Sequence, residues 1–345
     1  MRLTVVSIAY PFAPVTADPA GGAEQVLAQL DRALVAAGHR SIVIAAEGSS
    51  VAGELVALPV PVGEIGDDQR ARAHADVRAA LAAVLAREAV DLVHLHGIDF
   101  DGYLPPDGVA TLVTLVTLHL PLDWYAPNAL TERERTWLLP VSPSQARRAA
   151  PDLTLLPPIG NGVDVAAYRP ATAKGRYALV LGRVAPEKGF ADAVEAARAA
   201  GVSLIAAGKL YPYAAHRAYF DDELVPRLDG RRRFIGPVEG AAKRRLLARA
   251  RVLLVPSTAP ETSSLVAMEA LASGTPVIAY RSGALPDIVE DGVTGFIVDD
   301  VAGMADALGR IDAIDPAACR RAAVERFSLA HTTRAYLDLY ERLVA

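Results

Sequence analysis

Short apolar runs alternate along the chain with longer segments in which apolar residues recur at helical spacing. Each apolar run has the length and the aliphatic content of a strand that is buried on both faces. Strands that alternate with helices predict parallel sheets covered by helices on both faces, which is an α/β fold. The pattern predicts strands at Val5–Ala9, Ile42–Ala46, Leu92–Leu95, Thr111–Leu118, Tyr177–Gly182, Val202–Gly208, Phe234–Gly236, Val252–Val255 and Pro276–Tyr280, and helices at Ala23–Ala37, Gln69–Arg87, Glu187–Ala200, Gly240–Ala250 and Ser264–Ser273.

A cluster of prolines and glycines between residues 157 and 175 interrupts this pattern and is typical of a linker. A chain of 345 residues is long for one domain and sufficient for two. We therefore predict one α/β domain over residues 1–165 and a second over residues 172–326. The last segment, residues 327–345, has tyrosines and leucines on one side of a helix and could pack on either domain.

The composition suits buried cores with a hydrated surface, since 52% of the residues are hydrophobic and 22% are charged. No apolar run approaches the roughly 18 residues that a membrane-spanning helix needs. The N-terminal MRLTVVSIAY is interpreted as a first buried strand rather than a secretory leader, because Tyr10, Pro11 and Pro14 end the run early. Cys319 is the single cysteine, so no intrachain disulfide can form, and a reducing, cytoplasmic location is expected.

Charge is unevenly distributed between the two halves. Residues 1–165 hold 11 Arg, no Lys and 19 acidic residues, a net charge of −8, whereas the remainder holds 24 basic and 21 acidic residues, a net charge of +3. An anionic ligand is therefore expected to lie mostly against the second half. The basic runs at 231–233 and 243–245 lack interleaved aromatic residues, so they are interpreted as solvated faces rather than nucleic-acid sites.

Two glycines, Gly21 and Gly22, lie between the first predicted strand and the first predicted helix. Glycine lets a ligand approach the backbone closely, and the start of a helix offers free N–H groups to an anion. A tight strand-to-helix turn would need the same residues, so both interpretations remain open on this feature alone.

Two cations, Arg183 and Lys188, stand five positions apart after a predicted strand, with Gly189 next to the lysine. A planar guanidinium and a compact ammonium group across one turn can clamp two phosphates. The alternative is that both cations form surface pairs with Glu187 or Asp192.

Two glutamates, Glu261 and Glu269, flank the start of a predicted helix in the second half. Eight helical positions span roughly 12 Å, which exceeds the usual separation of a glycosidase carboxylate pair of about 5–9.5 Å. This spacing suits hydroxyl groups at two ends of one elongated ligand, with the amides of Ser263–Leu265 facing an anion. The alternative is that Glu261 caps the helix and Glu269 pairs with an arginine.

The order of these motifs resembles that of retaining glycosyltransferase family 4, whose members have the GT-B fold. Residues Glu261 to Glu269 resemble its E-x7-E motif, and residues 182–189 (GRVAPEKG) are similar to its G-R-x-x-x-E-K-G segment. The resemblance implies two Rossmann-like parallel-sheet domains facing a cleft, with a C-terminal helix that returns to the N-terminal domain. Residues 1–165 with 327–345 would form the acceptor domain, and residues 172–326 the nucleotide-sugar donor domain. Further segments match in order at Gly21–Glu24, Val93–Gly97, Thr117–His119, Pro140–Gln145, Gly160–Asp164, Ala206–Lys209, Phe234–Gly236, Gly292–Val298 and Phe327–Tyr340.

The resemblance also implies roles for individual residues. Arg183 and Lys188 would bind the donor diphosphate, and Glu269 would bind the ribose hydroxyls. The catalytic residues would be His119, Glu261, Arg183 and Lys188. The remaining donor contacts implied are Gly21 and Gly22 against phosphate or acceptor, Ser263, Ser264 and Leu265 on the sugar or phosphate, and Lys209 and Val238 beside the base.

This sequence departs from the family at residues 262–264. The family usually has a segment there that contains an aromatic residue, whereas this chain has Thr-Ser-Ser. The amide donors remain, but the shape of the sugar pocket changes, so the base and sugar of the donor are open. A UDP-hexose is favoured on family frequency alone.

No metal-ligand spacing is recognised in the chain, and neither a metal nor a cofactor is expected. His94 and His96 are expected to face opposite ways on a strand, one in the core and one at the edge of the site, which would make a poor chelate. Arg183, Lys188 and the helix start would instead stabilise the negative charge that grows on the leaving nucleotide.

An acceptor contact is suggested by Trp124 and Tyr125, which follow His119 and could stack on a ring or fill the domain packing. Tyr211 and Tyr213 are a similar aromatic candidate in the second half. The acceptor would be a small-molecule, saccharide or lipid-linked hydroxyl compound, and membrane association and oligomeric state are open.

The function favoured is a retaining, metal-independent transfer of a hexose from a nucleotide-diphosphate donor. Two alternatives are a nucleotide-sugar epimerase or hydrolase of the same fold, and a nucleotide-sugar-binding subunit without turnover. The presence of Arg183, Lys188, Glu261 and Glu269 weighs against the last of these.

Overall fold

The computed structural model describes residues 1–16, 21–60, 66–105, 112–126 and 128–345. The chain divides into two compact units. The first comprises Met1–Gly160 with Thr332–Ala345, and the second comprises Asn161–His331. Each unit contains a six-stranded sheet whose strands are all parallel, which confirms the predicted α/β architecture.

The sheet of the first unit has the strand order β3-β2-β1-β4-β5-β6. Its central strands are buried along their length, because helices cover them and because their side chains are mostly Val, Ile and Leu. The strands are β1 (Thr4–Ile8), β2 (Arg40–Ala46), β3 (Glu54–Leu58), β4 (Leu92–Leu95), β5 (Val113–Leu118) and β6 (Thr136–Pro140), and the helices are α1 (Gly22–Ala36), α2 (Asp67–Arg87) and α3 (Pro143–Arg147).

The sheet of the second unit has the strand order β12-β11-β10-β7-β8-β9. Its strands are β7 (Tyr177–Arg183), β8 (Ser203–Lys209), β9 (Arg232–Phe234), β10 (Val252–Val255), β11 (Val277–Tyr280) and β12 (Gly295–Val298). Its helices are α4 (Phe190–Ala199), α5 (Ala214–Ala218), α6 (Gly240–Arg249), α7 (Leu265–Ala272), α8 (Leu285–Ile288), α9 (Val301–Arg310) and α10 (Pro316–Arg326).

The C-terminal helix α11 (Leu329–Val344) packs on the first unit from Thr332 onward. Tyr336, Leu339 and Tyr340 are buried in one hydrophobic cluster with Leu3 of the N-terminal segment. The return of this helix to the N-terminal domain is therefore confirmed. The same hydrophobic cluster includes Val26, Leu30 and Leu34 of α1, so helices from both ends of the chain contribute to one core.

One predicted helix begins later than its apolar pattern indicates. Helix α4 begins at Phe190 rather than Glu187, because Gly189 before it adopts φ +63°. A side chain there would also place its Cβ 2.1 Å from the carbonyl oxygen of Pro256. The glycine therefore ends a short turn against β10 before the helix can start.

Among the described residues, none of the helices combines the length and the apolar character needed to cross a bilayer.

Candidate functional site

The carboxyl ends of β7 and β8 bring two cations side by side. Arg183 and Lys209 are register partners in these strands, and Gly182 pairs with Gly208 one position earlier. A Cβ on Gly208 would lie 2.0 Å from the carbonyl oxygen of Gly182, so the strands approach too closely for a side chain there. The glycine pair thus lets the two cationic residues leave adjacent strands at the edge where open α/β sheets bind ligands.

Lys188 lies in the turn that follows β7 and contacts Glu261 directly. Its Nζ donates to Oε1 of Glu261 over 2.6 Å, and Oγ of Ser257 donates to the same oxygen. The two charged side chains are only 26% and 11% exposed. The structure therefore brings the predicted phosphate cation and the first predicted glutamate together.

The loop carrying Glu261 is anchored to the turn carrying Lys188. The N–H of Thr258 donates to the carbonyl of Glu187 over 3.0 Å. Because this hydrogen bond joins the two backbones, the Lys188–Glu261 contact does not depend on two flexible side chains alone.

The same loop is fixed from the side of β11. Gly283 adopts φ +54°, and a Cβ there would lie 2.1 Å from the backbone oxygen of Glu261. That oxygen accepts the N–H of Ala284 over 2.7 Å. Ser282 adds a hydrogen bond to the carbonyl of Ala259 over 2.7 Å. Glu261 is therefore held by backbone contacts that only a glycine at 283 permits.

Arg183 is one third exposed and contacts Oε1 of Glu187 over 3.4 Å. The alternative of a pair with Glu187 is thus observed for Arg183, whereas Lys188 pairs with Glu261 instead. A contact of this length between partly exposed groups is weak, so the guanidinium remains available to an anion.

Helix α7 begins immediately after the glutamate loop. Its cap residue Ser264 makes no side-chain cap hydrogen bond, and Oγ of Ser263 is buried with no hydrogen-bond partner among the described residues. The first N–H groups of α7, from Leu265 onward, are therefore not satisfied by their own cap. This geometry suits the amide donors predicted at Ser263, Ser264 and Leu265.

Glu269 lies one turn further along α7 and has no exposed surface. Its Oε1 accepts from Nζ of Lys243 over 2.8 Å and from the hydroxyl of Tyr168 over 2.7 Å. The expected arginine partner is therefore a lysine. The carboxylate lies inside the unit rather than at an open end of a site, and its contact with ribose stays a prediction.

Lys243 itself corrects the interpretation of the run 243–245 as a solvated face. Its side chain is only 13% exposed, because it reaches from the first turn of α6 to Glu269. A single basic run thus contains an internal charge that sequence alone did not distinguish from its neighbours.

An aromatic group follows β8, next to Lys209. Nζ of Lys209 lies 4.9 Å from the ring centre of Tyr211, and the ring of Tyr211 stacks on Tyr213 at 6.3 Å. Tyr213 in turn meets His216 edge-on at 5.1 Å. Val238, which was predicted beside the base with Lys209, is half-buried in the segment after β9.

His216 is a neighbour of this edge that sequence reasoning missed. Burial lowers its pKa, Glu187 opposes that change, and Arg183 adds to it. The imidazole is therefore within electrostatic range of the Arg183–Glu187 pair. No motif marked it, because it lies in the short helix α5, whose sequence has no recognisable site spacing.

In the first unit, Gly21 caps α1 in an extended conformation. A Cβ on Gly21 would lie 1.8 Å from Oε2 of Glu24, which is the end of a flexible side chain, and the extended backbone of Gly21 is one that any residue adopts. Gly22 is the exposed first residue of the helix. Both interpretations of the two glycines therefore remain open, and the carboxylate of Glu24 lies beside the position where an anion would approach Gly21. A phosphate contact stays a prediction.

His119 follows β5 and is held on both sides by one glutamine. Nε2 of Gln145 donates to the carbonyls of Leu118 and Leu120 over 2.8 Å each. Its Oε1 accepts the N–H of Val141 over 2.8 Å. This buried amide fixes the backbone that carries His119, which gives a physical reason for the glutamine in the matching segment.

The two aromatic acceptor candidates differ in exposure. Trp124 is 42% exposed, whereas Tyr125 is 5% exposed and packs at 6.1 Å from the ring of Phe100. The hydroxyl of Tyr125 accepts the N–H of Leu120 over 3.3 Å. Tyr125 therefore fills the packing of the first unit, and its prediction as an acceptor contact is corrected. The ring of Trp124 remains exposed, so its acceptor contact stays a prediction.

The prediction that His94 and His96 face opposite ways is wrong. Side chains alternate along a strand with period two, so residues two positions apart share a face. Their rings lie 4.0 Å apart, and both are buried. Nδ1 of His96 lies 2.9 Å from Nε2 of His119, so the three histidines form one cluster.

The rear of the cluster is tied to the C-terminal helix. His94 lies between the hydroxyl of Tyr340, at 2.8 Å from Nδ1, and Oγ1 of Thr117, at 2.7 Å from Nε2. Oγ1 of Thr117 also lies 3.3 Å from the hydroxyl of Tyr336. The predicted division into one core and one edge histidine is therefore corrected, because both ring nitrogens of His94 are engaged inside the unit and His96 lies beside it.

Burial governs the charge of the cluster. It lowers the pKa of His94 and His96 well below the usual value, and it lowers the pKa of His119 to about 3. All three rings are therefore neutral near pH 7. Among the described residues, no group of three or more His, Cys, Asp or Glu is arranged to hold a metal ion.

Family models match both halves of the chain. Residues 20–150 match the model described as Glycosyltransferase Family 4, and residues 175–312 match the model described as Glycosyl transferases group 1. The first matched range lies within the first observed unit, and the second lies within the second unit.

Individual relatives agree with the family models. A phosphatidyl-myo-inositol mannosyltransferase of Mycolicibacterium smegmatis is 28% identical over 340 residues, which cover 86% of this chain and 82% of the relative. A D-inositol 3-phosphate glycosyltransferase of Mycolicibacterium vanbaalenii is 46% identical over 99 residues, which cover 27% of this chain. This second match covers only 22% of the relative's own length.

A solved structure agrees with the fold over the whole length. The crystal structure of a glycosyltransferase involved in avilamycin A biosynthesis superposes with a TM-score of 0.74 at 25% identity, covering 99% of this chain and 98% of the other. With two parallel-sheet units, both family models and a match of this extent, the chain belongs to glycosyltransferase family 4 and has its GT-B fold.

Proposed function

We propose that the protein is a glycosyltransferase that moves a hexose from a nucleotide-diphosphate donor to a hydroxyl acceptor, with retention of configuration and without a metal ion. The observation that carries this proposal is the contact between Lys188 and Glu261 at the sheet edge where Arg183 and Lys209 also end. Family membership supports the reaction class, and this arrangement supports a diphosphate ligand in the second unit.

Arg183 and Lys188 suit a diphosphate because each keeps N–H donors that its carboxylate partner does not use. An ammonium group has three N–H donors, and Lys188 gives one of them to Glu261. Glu261 therefore positions the ammonium and leaves donors for a phosphate oxygen. Arg183 adds a planar fork, and α7 adds the N–H groups of its first turn.

These groups are preplaced for the charge that develops during transfer. As the bond between the anomeric carbon and the phosphate oxygen breaks, negative charge grows on the leaving nucleotide diphosphate. Donors that are fixed before the reaction stabilise that charge without reorganisation. Arg183, Lys188 and α7 would thus do the work that a divalent cation does in other enzymes.

Glu261 suits a polar contact better than a covalent role. Its Oε1 accepts hydrogen bonds from both Lys188 and Ser257, which stabilise the carboxylate and reduce its nucleophilicity. In the retaining reaction that we propose, the leaving phosphate takes the proton of the acceptor hydroxyl, which attacks the face that the phosphate leaves.

The donor and acceptor are proposed by class. A UDP-hexose is the favoured donor on family frequency, and the roles of His119 at the sugar and of Val238 at the base stay predictions. The relatives are named for inositol-containing acceptors, so inositol 3-phosphate and a phosphatidylinositol are the first acceptors to test. Trp124 offers an exposed ring for such a polyol. The cytoplasmic location also stays a prediction.

A binding screen followed by product analysis tests the proposal. The protein is melted with UDP, GDP, ADP or dTDP and with their sugars, because a ligand that binds only the folded state raises the melting temperature. The stabilising nucleotide sugar is then incubated with acceptors, with and without a chelator. We expect a glycoside with the anomeric configuration of the donor, at a rate that the chelator leaves unchanged.

Three results would contradict parts of this proposal. Free sugar or an epimerised nucleotide sugar as the main product, with every acceptor, would indicate the hydrolase or epimerase alternative. Binding without any turnover across the acceptor panel would indicate a regulatory subunit. Loss of turnover in the chelator, restored by Mg²⁺ or Mn²⁺, would overturn metal independence.

A further inference from the structure

In the cluster of His94, His96 and His119, one hydrogen bond joins two of the rings, and one ring nitrogen has no partner among the described residues. Nδ1 of His96 lies 2.9 Å from Nε2 of His119. The other nitrogen of His96, Nε2, is buried and has no hydrogen-bond partner among the described residues. The side chain of His96 is almost entirely enclosed, with 3% of its surface exposed.

Only two proton arrangements fit these contacts when both rings are neutral. If His119 donates from Nε2, then His96 accepts at Nδ1 and carries its own proton on Nε2. If His96 donates from Nδ1, then His119 accepts at Nε2 and carries its own proton on Nδ1. The first arrangement buries an N–H donor without an acceptor, whereas the second buries a bare lone pair.

The difference favours the second arrangement. Among backbone groups, buried N–H donors without an acceptor are rarer than under-satisfied buried carbonyls, and the ring nitrogens are expected to show the same asymmetry. When Nδ1 of His96 is the donor, Nε2 of His96 is left with an unpaired lone pair, which costs less free energy than an unpaired N–H group there.

We propose that His96 is a positioning residue that donates from Nδ1 to Nε2 of His119 and so holds His119 as the Nδ1-protonated tautomer. In that tautomer Nδ1 of His119 carries a proton and can act only as a hydrogen-bond donor, which is the role expected toward an oxygen of a bound sugar. The ligand contact rests on the proposed function, whereas the tautomer assignment is a property of the free protein.

The surroundings hold His96 in the orientation that this donation needs. Its ring packs between His94, at 4.0 Å, and His119, at 5.2 Å with planes only 19° apart. Behind it, His94 is fixed by Tyr340 and Thr117. Rotation of the His96 ring is therefore opposed from both sides.

The same enclosure keeps the rings neutral. Burial lowers the pKa of each of the three histidines, and the described neighbours of His94 are the hydroxyl groups of Tyr336, Tyr340 and Thr117 rather than carboxylates. The rings of His96 and His119 are therefore each expected to hold a single proton near pH 7.

Nitrogen NMR of the full chain tests the tautomer directly. With ¹⁵N-histidine labelling, protonated and bare ring nitrogens of neutral imidazole have well-separated chemical shifts, and His96 and His119 are assigned by substitution. We expect Nδ1 of both rings to be protonated and Nε2 of both to be bare. Protonated Nε2 on His119, or an imidazolium at pH 7, would overturn the assignment whether or not the protein is active.

Two variants at one position test the positioning role. The amide N–H of His96→Asn can replace the Nδ1 donor, whereas His96→Leu has similar bulk and no donor. We expect His96→Leu to show both tautomers at His119 and to lose about tenfold in kcat/KM, the value of one hydrogen bond. His96→Asn should keep the single tautomer and most of the activity.

The exposed His331 provides the matched control, since His331→Asn changes a histidine outside the cluster. It should leave both readouts unchanged. If His96→Leu and His96→Asn reduce activity equally while His119 keeps one tautomer, the positioning role is refuted and His96 acts by packing alone. If the tautomer is as expected and no transfer is found with any acceptor, the proposed function fails and the assignment stands.

Discussion

Nζ of Lys188 lies 2.6 Å from Oε1 of Glu261, although 73 positions separate the two residues in the sequence. Each belongs to a different loop at the carboxyl edge of one sheet, and the backbones of those loops are hydrogen-bonded through Thr258 and Glu187. The pair therefore links the two motif segments of the second unit, residues 182–189 and 261–269, into one polar surface. Its cation and carboxylate are expected to act oppositely on an anionic ligand, which makes them separable by mutation.

The first prediction concerns the charge balance of this pair. Lys188→Ala should weaken UDP binding about tenfold or more, because a charged hydrogen bond to phosphate contributes about 1.5–3 kcal/mol. Glu261→Gln should leave UDP binding unchanged or tighter, because it removes a negative charge beside the diphosphate, and should still lower kcat with the sugar donor. Calorimetry with UDP and steady-state kinetics measure the two effects. Weaker UDP binding in Glu261→Gln would show that the carboxylate positions Lys188 more than it competes for it.

A second prediction concerns Arg183. Arg183→Ala should lower kcat/KM by about 10²–10³, the loss found when a preplaced charge-stabilising donor is removed. Arg198→Ala is the control, because Arg198 lies in α4 and pairs with Glu195 at the surface. Rates of product formation under subsaturating donor measure the change. Near wild-type activity in Arg183→Ala would remove the two-cation clamp from the mechanism.

A third prediction concerns the internal pair of Lys243 and Glu269. Lys243→Met leaves a fully buried carboxylate without its ammonium partner and should destabilise the second unit by about 3–5 kcal/mol. Tyr168→Phe removes one hydrogen bond to the same oxygen and should cost about 1 kcal/mol. Urea unfolding followed by circular dichroism measures both, and Arg245→Met at an exposed position of α6 is the control.

The outcome also bears on ribose binding. If Lys243→Met is as stable as the wild type, then Glu269 reaches solvent in the free protein and is open to a ligand. If the expected loss is found, UDP should restore little of it, because the buried carboxylate is already committed to its internal partners.

Much of the architecture follows from periodicity, because strands that are buried on both faces have continuous apolar runs and need helical crossovers. The three strands that the pattern missed, β3, β6 and β12, are short and lie at sheet edges. An edge strand pairs with a neighbour on one side only. In β3 (Glu54–Leu58) the run begins with a glutamate and four of its five residues keep some exposure, so it lacks the continuous apolar signal of a strand buried on both faces.

The site was predictable where one motif spans a strand end and the following turn. Arg183 and Lys188 belong to such a motif, and the contact of Lys188 with Glu261 follows from parallel strands ending at one edge. The partner of Glu269 was not predictable, because Lys243 lies on another helix and resembles its solvated neighbours in sequence. The histidine cluster was missed through a misapplied strand period rather than through a missing signal.

A fourth prediction concerns pH. A histidine whose pKa is lower in the folded than in the unfolded state, where it is about 6.5, stabilises the fold above that pH. Below it, the unfolded chain takes up protons that the buried rings refuse, and for His119 this continues to a pH of about 3. The free energy of unfolding should therefore fall as pH is lowered from 7 to 5, with an uptake approaching three protons from His94, His96 and His119. His119→Asn should reduce that uptake by one proton.

The last prediction separates two adjacent aromatic residues. Trp124→Ala should raise the KM for the acceptor and leave the melting temperature nearly unchanged, because its ring is 42% exposed. Tyr125→Ala should lower the melting temperature clearly, because its buried ring packs on Phe100 and its truncation leaves a cavity. Donor KM is the internal control, since neither residue belongs to the second unit. If Trp124→Ala leaves the acceptor KM unchanged for every acceptor that is turned over, the exposed ring has another use, and acceptor binding must depend on other groups.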